Sequence, residues 1–387
     1  MRIIMTNRER INAILHYKPY DRMPVVHFGF WYETLDKWAA EGHISKDEAK
    51  SWADGNPSDV SIGNKLGFDC NWYCVFSPSY YPDPLFEREV IKEFPDGTKH
   101  VRNLFGVVTV EKPEAGSIPA EIEHLFKDRA SWEEHYKPRY QWHKERVTKA
   151  GVLKNGEMIP FDQGGLDFLK SDNRDYFYGL NCGSLFGHMR DVIGVETISY
   201  LFVDDEELYD EVLQTASDLC YQNVKFALES GAKFDFGHFW EDICFKNGPL
   251  VIPSVFEEKV GPHYKKITSL LNEYGIDIVS LDCDGWIDSL IHIWLENGVN
   301  TMFPIEVGTW NASIAPWREK YGKEIRGVGG MNKTVFAKDK SAIDDEIKRL
   351  KPLIELGGYI PCPDHRIPPD AKWDLVKYYC DELRKIS

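Results

Sequence analysis

The segment IDIVSLDCDG (residues 276–285) joins an apolar strand to a strongly polar end. Apolar residues dominate the first part, and Asp282, Cys283 and Asp284 then follow directly before Gly285. A continuous apolar strand is typical of a parallel sheet that is covered on both faces. In an α/β barrel the carboxyl ends of such strands meet at one open end, which we call the mouth, and catalytic groups come from several of them. The segment therefore predicts a buried strand that delivers functional groups to a shared site.

The second half of the chain repeats this pattern. Short apolar strands alternate with longer helical segments, as in the helix predicted for residues 205–231 and the strand FDFGHFWED (residues 234–242) that follows it. Regular alternation with right-handed crossovers predicts a parallel sheet. Because there are few breaks, a closed (β/α)8 TIM barrel is favoured over an open doubly wound sheet.

The first half adds two features to the barrel. Thr6 or Asn7 can cap an N-terminal helix that ends at Pro19, and PVVHFGF (residues 24–30) predicts the first strand. Residues 53–119 carry short β-type runs and a turn at residues 95–97, which together predict a β-rich cap or insertion. We expect one α/β barrel domain over residues 1–387, with an N-terminal helical extension and this cap.

Composition excludes several classes of partner. The formal net charge is −16 and the sequence pI is about 5.3, so nucleic acid and anionic membranes would be repelled. The apolar N-terminal run is too short for a signal peptide, and no membrane-length apolar run occurs. Eight cysteines are scattered without the spacing of a disulfide framework, so we expect reduced thiols and a cytoplasmic protein.

Several strand ends are predicted to place ligand-type side chains at the mouth. Each of these side chains could also have a purely structural role: an aspartate can cap a helix, and a cysteine can fill space in the core. Their convergence indicates a site, because so many acidic groups repel one another unless a cation, protons or a charged substrate compensates them. These residues are His238, Glu241, Asp242, Asp282, Cys283, Asp284, Glu306, Cys362, Asp364 and His365.

Five longer segments together resemble the uroporphyrinogen decarboxylase superfamily over essentially the whole chain. They are NRERINAILHYKPYDRMPV, KDRASWEEHYKPRY, FGHMRDVIGVETISYLFVDDEEL, WEDICFKNGPLVIPSVFEEKVGPHYKKI and GGYIPCPDHRIPPD. The resemblance implies a (β/α)8 barrel and two alternative activities: porphyrinogen decarboxylation, or zinc-dependent methyl transfer involving corrinoids. A homodimer is also implied.

The first loop separates these two activities. Decarboxylases of this superfamily carry an arginine-bearing segment after the first strand, which suits a substrate with many carboxylates. Here the corresponding stretch, HFGFWYETLDKW (residues 27–38), has no arginine and is rich in aromatic residues. The chain therefore resembles the methyltransferase branch more closely.

The zinc ligands of that branch have counterparts here, with substitutions. Zinc-dependent members carry a His-x-Cys before a glycine and a distant cysteine before an Ile-Pro-Pro-like turn. The matching positions here are Asp282, Asp284 and His365, with Glu306 as an addition. Oxygen and imidazole ligands still suit zinc and leave it a stronger Lewis acid than thiolates do.

The resemblance then implies O-demethylation of the kind found in anaerobes. The methyl group of a small methoxylated, aromatic substrate would pass to a corrinoid, which a partner protein must supply because the chain has no DxHxxG signature. We expect Glu241 and Asp282 as catalytic residues. Candidate substrate-binding residues are His27, Phe30, Trp31, His238 and Trp240.

Two other functions fit the same residues. A metal-independent lyase or decarboxylase-like enzyme could use Asp284 and Glu306 as paired carboxylates for acid and base chemistry. A binding protein without catalysis could use the same pocket for sensing.

Overall fold

The computed structural model describes residues 4–112 and 119–386. Apolar side chains from the helices and strands form one large buried core, which includes Trp72, Phe236 and Trp294. The chain alternates between strands and helices through most of its length. In chain order the strands are β1 Val26–His27, β2 Cys70–Asn71, β3 Val75–Phe76, β4 Glu89–Glu93, β5 Lys99–Arg102, β6 Val107–Glu111, β7 Ala120–His124, β8 Gly151–Lys154, β9 Glu157–Pro160, β10 Gly179–Gly183, β11 Phe236–Trp240, β12 Cys244–Phe245, β13 Gly248–Pro249, β14 Val279–Asp282, β15 Thr301–Ile305, β16 Arg326–Met331 and β17 Tyr359–Pro363.

The helices connect these strands and cover the main sheet. They are α1 Asn7–Leu15, α2 Tyr32–Ala40, α3 Lys46–Ser51, α4 Pro57–Leu66, α5 Arg129–Ser131, α6 Glu145–Thr148, α7 Gly165–Ser171, α8 Gly187–Ile193, α9 Val195–Asp204, α10 Glu206–Glu229, α11 Pro253–Lys259, α12 Gly261–Glu273, α13 Ile291–Glu296, α14 Val307–Trp310, α15 Ile314–Tyr321, α16 Lys340–Ile354 and α17 Trp373–Leu383.

The main sheet is parallel, as predicted. It contains seven strands in the order β17-β16-β15-β14-β11-β10-β3, and β1 pairs in parallel with β2 in a separate two-stranded sheet. A parallel bridge between Phe30 and Ile367 joins the segment after β1 to the segment after β17. Within the described ranges the hydrogen bonds do not close these strands into one continuous sheet. The parallel α/β architecture is confirmed, and complete barrel closure stays a prediction.

The N-terminal helix α1 is capped by Thr6, one of the two predicted caps. Thr6 accepts a hydrogen bond from the backbone N–H of Glu9, and the Glu9 side chain accepts one from the backbone N–H of Thr6. This reciprocal cap satisfies two backbone donors that have no partner inside the helix. Ile11, Ile14 and Leu15 of this helix are buried.

The predicted cap over residues 53–119 is β-rich only in part. Its first section contains α4, which Asn56 caps and which ends at Gly67 in a left-handed conformation. Strands β4 to β7 form a four-stranded antiparallel sheet, and Gly97 with φ of 81° closes the predicted β4–β5 hairpin. The sheet extends beyond the predicted boundary to residue 124, and residues 113–118 of the predicted cap lie outside the described residues. The helix was missed because α4 is short and its apolar spacing is weak.

Candidate functional site

Four strand ends of the main sheet converge on one site. Asp242 follows β11, Asp282 ends β14, Glu306 follows β15, and His365 follows β17. The register fixes the first three, because Trp240 in β11 pairs with Asp282 and Asp282 pairs with Phe303 in β15. Parallel pairing places these carboxyl ends at the same edge of the sheet.

Asp284 and His365 are in direct contact at this edge. The Nε2 atom of His365 lies 3.1 Å from Oδ2 of Asp284, although 81 residues separate them in sequence. The second oxygen, Oδ1 of Asp284, is buried and has no hydrogen-bond partner among the described residues. A buried carboxylate oxygen without a partner is costly, so this atom favours a positively charged or hydrogen-donating ligand.

Three further carboxyl groups surround this pair. Burial first, and then the charge of Asp284, raise the pKa of Asp282 well above its usual range. The same two causes raise the pKa of Asp242 to about 6, and they also raise the pKa of Glu306. The site therefore concentrates negative charge, and a cation or protons must compensate it.

Glu306 is close to the pair, but its oxygens are already bound. Oε2 accepts a hydrogen bond from the backbone N–H of Gly285 at 2.5 Å, and Oε1 accepts one from the Thr309 hydroxyl at 2.7 Å. Its position therefore supports the turn after β14. Among the residues that the structure describes, no three histidine, cysteine, aspartate or glutamate side chains form a group that could hold a metal ion. The structure brings two of the four predicted ligands, Asp284 and His365, into contact.

Glu241 is buried away from the mouth, and its contacts indicate a structural role. Its fully buried carboxylate accepts hydrogen bonds from the backbone N–H groups of Leu185, Phe186 and Gly187 at 2.6–3.0 Å, and the Tyr264 hydroxyl donates to it as well. The three backbone donors lie at the N-terminal end of α8 and directly before it, where a negative charge is favourable. The predicted catalytic role of Glu241 thus conflicts with its surroundings.

The neighbouring Asp242 faces the site. Its side chain is 41% exposed, and the guanidinium of Arg190 donates to its backbone oxygen at 2.9 Å and lies 3.9 Å from Oδ2. Its φ of 47° is left-handed, which is uncommon for a residue with a side chain. Such a conformation indicates that the packing around β11 fixes the position of this carboxyl group.

Aromatic rings line the site beside His365. The Phe28 ring lies 4.5 Å from that of Phe303, 5.6 Å from that of Tyr73 and 5.3 Å from that of His365, measured between centroids. Trp31 stacks on His365 at 5.4 Å with an interplanar angle of 18°. These rings form an apolar wall next to the Asp284–His365 pair.

His238 lies inside the sheet near this wall. It is fully buried, its ring makes an edge contact with Tyr73 at 4.9 Å, and neither ring nitrogen has a hydrogen-bond partner within the described part of the chain. Burial lowers the pKa of His238 to about 3, so the ring is neutral at physiological pH. It can therefore donate one hydrogen bond and accept another.

The remaining predicted substrate-binding residues divide between the site and the core. Trp240 is partly exposed at the end of β11. Phe30 is buried and packs against Trp38 and Trp52, at ring distances of 5.6 and 6.0 Å. His27 lines a different cavity, described below.

Sequence reasoning did not assign three residues that the structure places here. Tyr73 belongs to a segment assigned to the cap, and Phe303 belongs to the strand before Glu306. The Arg366 guanidinium binds Asp54 at 2.6 and 3.1 Å and favours the charged form of Asp282. No sequence signal separates Phe303 from the other buried residues of its strand, and none links Arg366 to Asp54.

Comparison with known proteins identifies the class of protein. The family model described as Uroporphyrinogen decarboxylase (URO-D) matches residues 180–386, which is more than half of the chain. The chain belongs to the uroporphyrinogen decarboxylase (URO-D) family. A search of curated proteins found no match.

A solved structure of low sequence identity shares the fold. A methyltransferase from Methanosarcina mazei is 15% identical, the match covers 98% of this chain and 99% of that one, and the TM-score is 0.55. A B12-independent methionine synthase from Shewanella sp. W3-18-1 is 8% identical over 94% of this chain and 98% of that one, with a TM-score of 0.45, which is too low to support an argument. The first similarity shows a common fold.

No described helix has both the length and the apolar character that crossing a membrane requires.

Proposed function

We propose that this protein is a methyltransferase on a (β/α)8 barrel, which moves a methyl group from a small methoxylated substrate to a corrinoid carried by a partner protein. The observation that carries the proposal is the contact between Asp284 and His365, with one buried Asp284 oxygen left without a partner. Family membership and the fold shared with a methyltransferase support it.

We propose that zinc binds at this pair, and that Asp282, which does not form a three-residue metal site with the pair among the described residues, joins it as a further ligand when the ion is bound. The donor types suit zinc, and the carboxyl groups around Asp284 repel one another without a compensating cation. When bound, the zinc would supply a Lewis acid that stabilises negative charge on a leaving oxygen. Glu306 would hold the loop at Gly285, because both of its oxygens are already bound.

The chain's own residues would position the substrate. Phe28, Tyr73 and Phe303 offer an apolar wall for an aromatic ring, and Trp31 holds the His365 imidazole by stacking. His238 offers a neutral, buried polar group that a substrate oxygen or hydroxyl could pair with. Holding the reacting group in one orientation supplies part of the rate acceleration.

Asp242 would orient or protonate the leaving oxygen. It is the most exposed carboxyl group of the site, and the Arg190 contact and the left-handed backbone hold it in position. General acid catalysis requires a carboxyl group within reach of the oxygen that leaves. Glu241, which the resemblance predicted as a catalytic residue, would hold the N-terminal end of α8 in place.

The acidic site disfavours decarboxylation of a porphyrinogen. A substrate with many carboxylates needs cationic partners, and the two guanidinium groups near the site are engaged: Arg366 binds Asp54, and Arg190 binds Asp191. The family name alone therefore does not assign the family's decarboxylase activity to this chain.

Metal content and methyl transfer test the proposal together. Zinc would be measured in wild-type protein, Asp284→Asn and His365→Asn, and each protein would be assayed for methyl transfer from methoxylated aromatics to cob(I)amide. Asp277→Asn is a matched control, because Asp277 also contacts a histidine, His16, at 3.1 Å but precedes β14, at the opposite end of the strand from Asp284. We expect stoichiometric zinc in wild-type and Asp277→Asn, and loss of both zinc and transfer in the two site variants.

The second candidate is a metal-independent lyase that uses Asp284 and Glu306 as an acid and base pair. The raised pKa of Glu306, caused by burial and then by Asp284, favours it. Activity that survives chelation, in protein without zinc, would support the lyase and contradict the methyltransferase.

A further inference from the structure

A separate cavity lies away from the mouth, between α4, β2 and the β8–β9 hairpin. Its volume is about 160 Å³, and its lining includes none of the carboxyl groups of the candidate site. An engineered cavity of roughly 150 Å³ in another protein binds benzene, so this space suits a molecule with a single ring. Much of its wall is apolar and comes from Val60, Phe68, Cys74 and Leu153.

His27 presents one polar atom to this cavity. The side chain is 2% exposed, and its Nδ1 accepts a hydrogen bond from the backbone N–H of Gly29 at 3.1 Å. The ring proton must therefore lie on Nε2. No hydrogen bond from Nε2 is present in the described part of the structure, and His27 lines the cavity, so this donor is left for a ligand.

Gly63 of α4 leaves Nε2 open. A Cβ atom at this position would lie 3.3 Å from Nε2 of His27. Any side chain here would cover the donor, whereas glycine leaves space in front of it. The cavity and the unpaired donor thus occur at the same place.

The other polar groups in the wall select against anions. Asp59, Asp69 and Asp175 all line the cavity. The carboxylate of Asp59 already accepts hydrogen bonds from Trp52 Nε1 at 2.7 Å and from Asn71 Nδ2 at 3.0 Å, so it does not need a ligand. A neutral ligand that accepts a hydrogen bond fits these surroundings.

We propose that this cavity is a second ligand site, distinct from the methyl-transfer site, for a neutral single-ring molecule whose oxygen accepts a hydrogen bond from His27 Nε2. Apolar walls enclose the ring, and His27 fixes the position of the oxygen. His27 lines this cavity, whereas Phe28, directly after β1, is not in its lining and belongs to the candidate active site.

Isothermal titration calorimetry with phenol tests the site, and toluene serves as a ligand of similar size without oxygen. Wild-type protein should bind phenol saturably at this cavity and bind toluene several-fold more weakly. Gly63→Ala, which covers Nε2, and Val60→Phe, which fills the space, should each weaken phenol binding at least tenfold.

Two controls separate the cavity from the mouth. Gly261→Ala also introduces a methyl group near a polar side chain in a helix, and Asp284→Asn alters the candidate active site. Both should bind phenol like the wild type. The proposal is overturned if wild-type protein shows no saturable binding, if toluene binds as well as phenol, if Gly63→Ala and Val60→Phe bind normally, or if Asp284→Asn abolishes binding.

Discussion

Replacement of Glu241 by glutamine distinguishes a structural carboxylate from a catalytic one. Its two oxygens accept hydrogen bonds from three backbone N–H groups and from the hydroxyls of Ser184 and Tyr264. The amide of glutamine keeps one acceptor oxygen and turns the other toward these donors as an NH₂ group. At least two buried donors then lose their acceptor, at about 1–3 kcal/mol each.

The net loss is smaller than this sum. A neutral side chain avoids the desolvation of a buried charge, which is the cause that raises the pKa of Glu241. We therefore expect Glu241→Gln to lower the free energy of unfolding by roughly 2–4 kcal/mol. Urea unfolding followed by tryptophan fluorescence would measure it, with the exposed Glu258→Gln as a control that changes stability by less than about 0.5 kcal/mol.

The folded fraction of Glu241→Gln should retain the zinc content of the wild type. Unchanged stability combined with a large loss of methyl transfer would refute the structural role. Such a result would support the catalytic role that the sequence analysis predicts for Glu241.

Three other predictions concern the site and the core. Asp242→Asn should lower the rate of methyl transfer by about 10²-fold or more, because the proposed proton donor is lost, while zinc content stays constant; an unchanged rate would exclude this role. His238→Phe should raise KM for a methoxylated substrate more than it lowers kcat, since His238 is proposed to bind and not to react; steady-state kinetics would show an equal fall in kcat if that is wrong. His188 is buried and burial lowers its pKa to about 3, so the unfolded state binds more protons than the folded state below about pH 6.5 and wild-type stability falls with acid. The free energy of unfolding of His188→Gln should therefore rise relative to that of wild type by about 2 kcal/mol between pH 7.5 and pH 5. An equal difference between the two proteins at both pH values, measured by urea unfolding, would contradict this.

The strand ends were predictable because local sequence controls them. An apolar run that stops at a carboxylate identifies β14 and β15, and the structure ends these strands at Asp282 and Ile305. The proximity of Asp284 and His365 followed from the rule that parallel strands share one functional edge. Their 3.1 Å contact agrees with that expectation.

Other features depend on contacts that no short segment encodes. Glu241 and Asp242 are adjacent carboxylic acids, yet the backbone N–H of Gly187 and the Tyr264 hydroxyl bind Glu241, whereas Asp242 contacts the Arg190 guanidinium. His27 and Phe28 are also neighbours, yet His27 lines the α4 cavity and Phe28 packs against Phe303 at the mouth. The register of each strand decides such cases, and sequence alone does not give that register.

Asp284 and His365 are proposed to hold one zinc ion at the mouth. X-ray absorption at the zinc edge of the loaded protein tests it directly. We predict a shell of oxygen and nitrogen atoms near 2.0–2.2 Å, with an imidazole contribution that disappears in His365→Asn. A sulfur atom near 2.3 Å, or a spectrum that is unchanged in both His365→Asn and Asp284→Asn, would contradict the account.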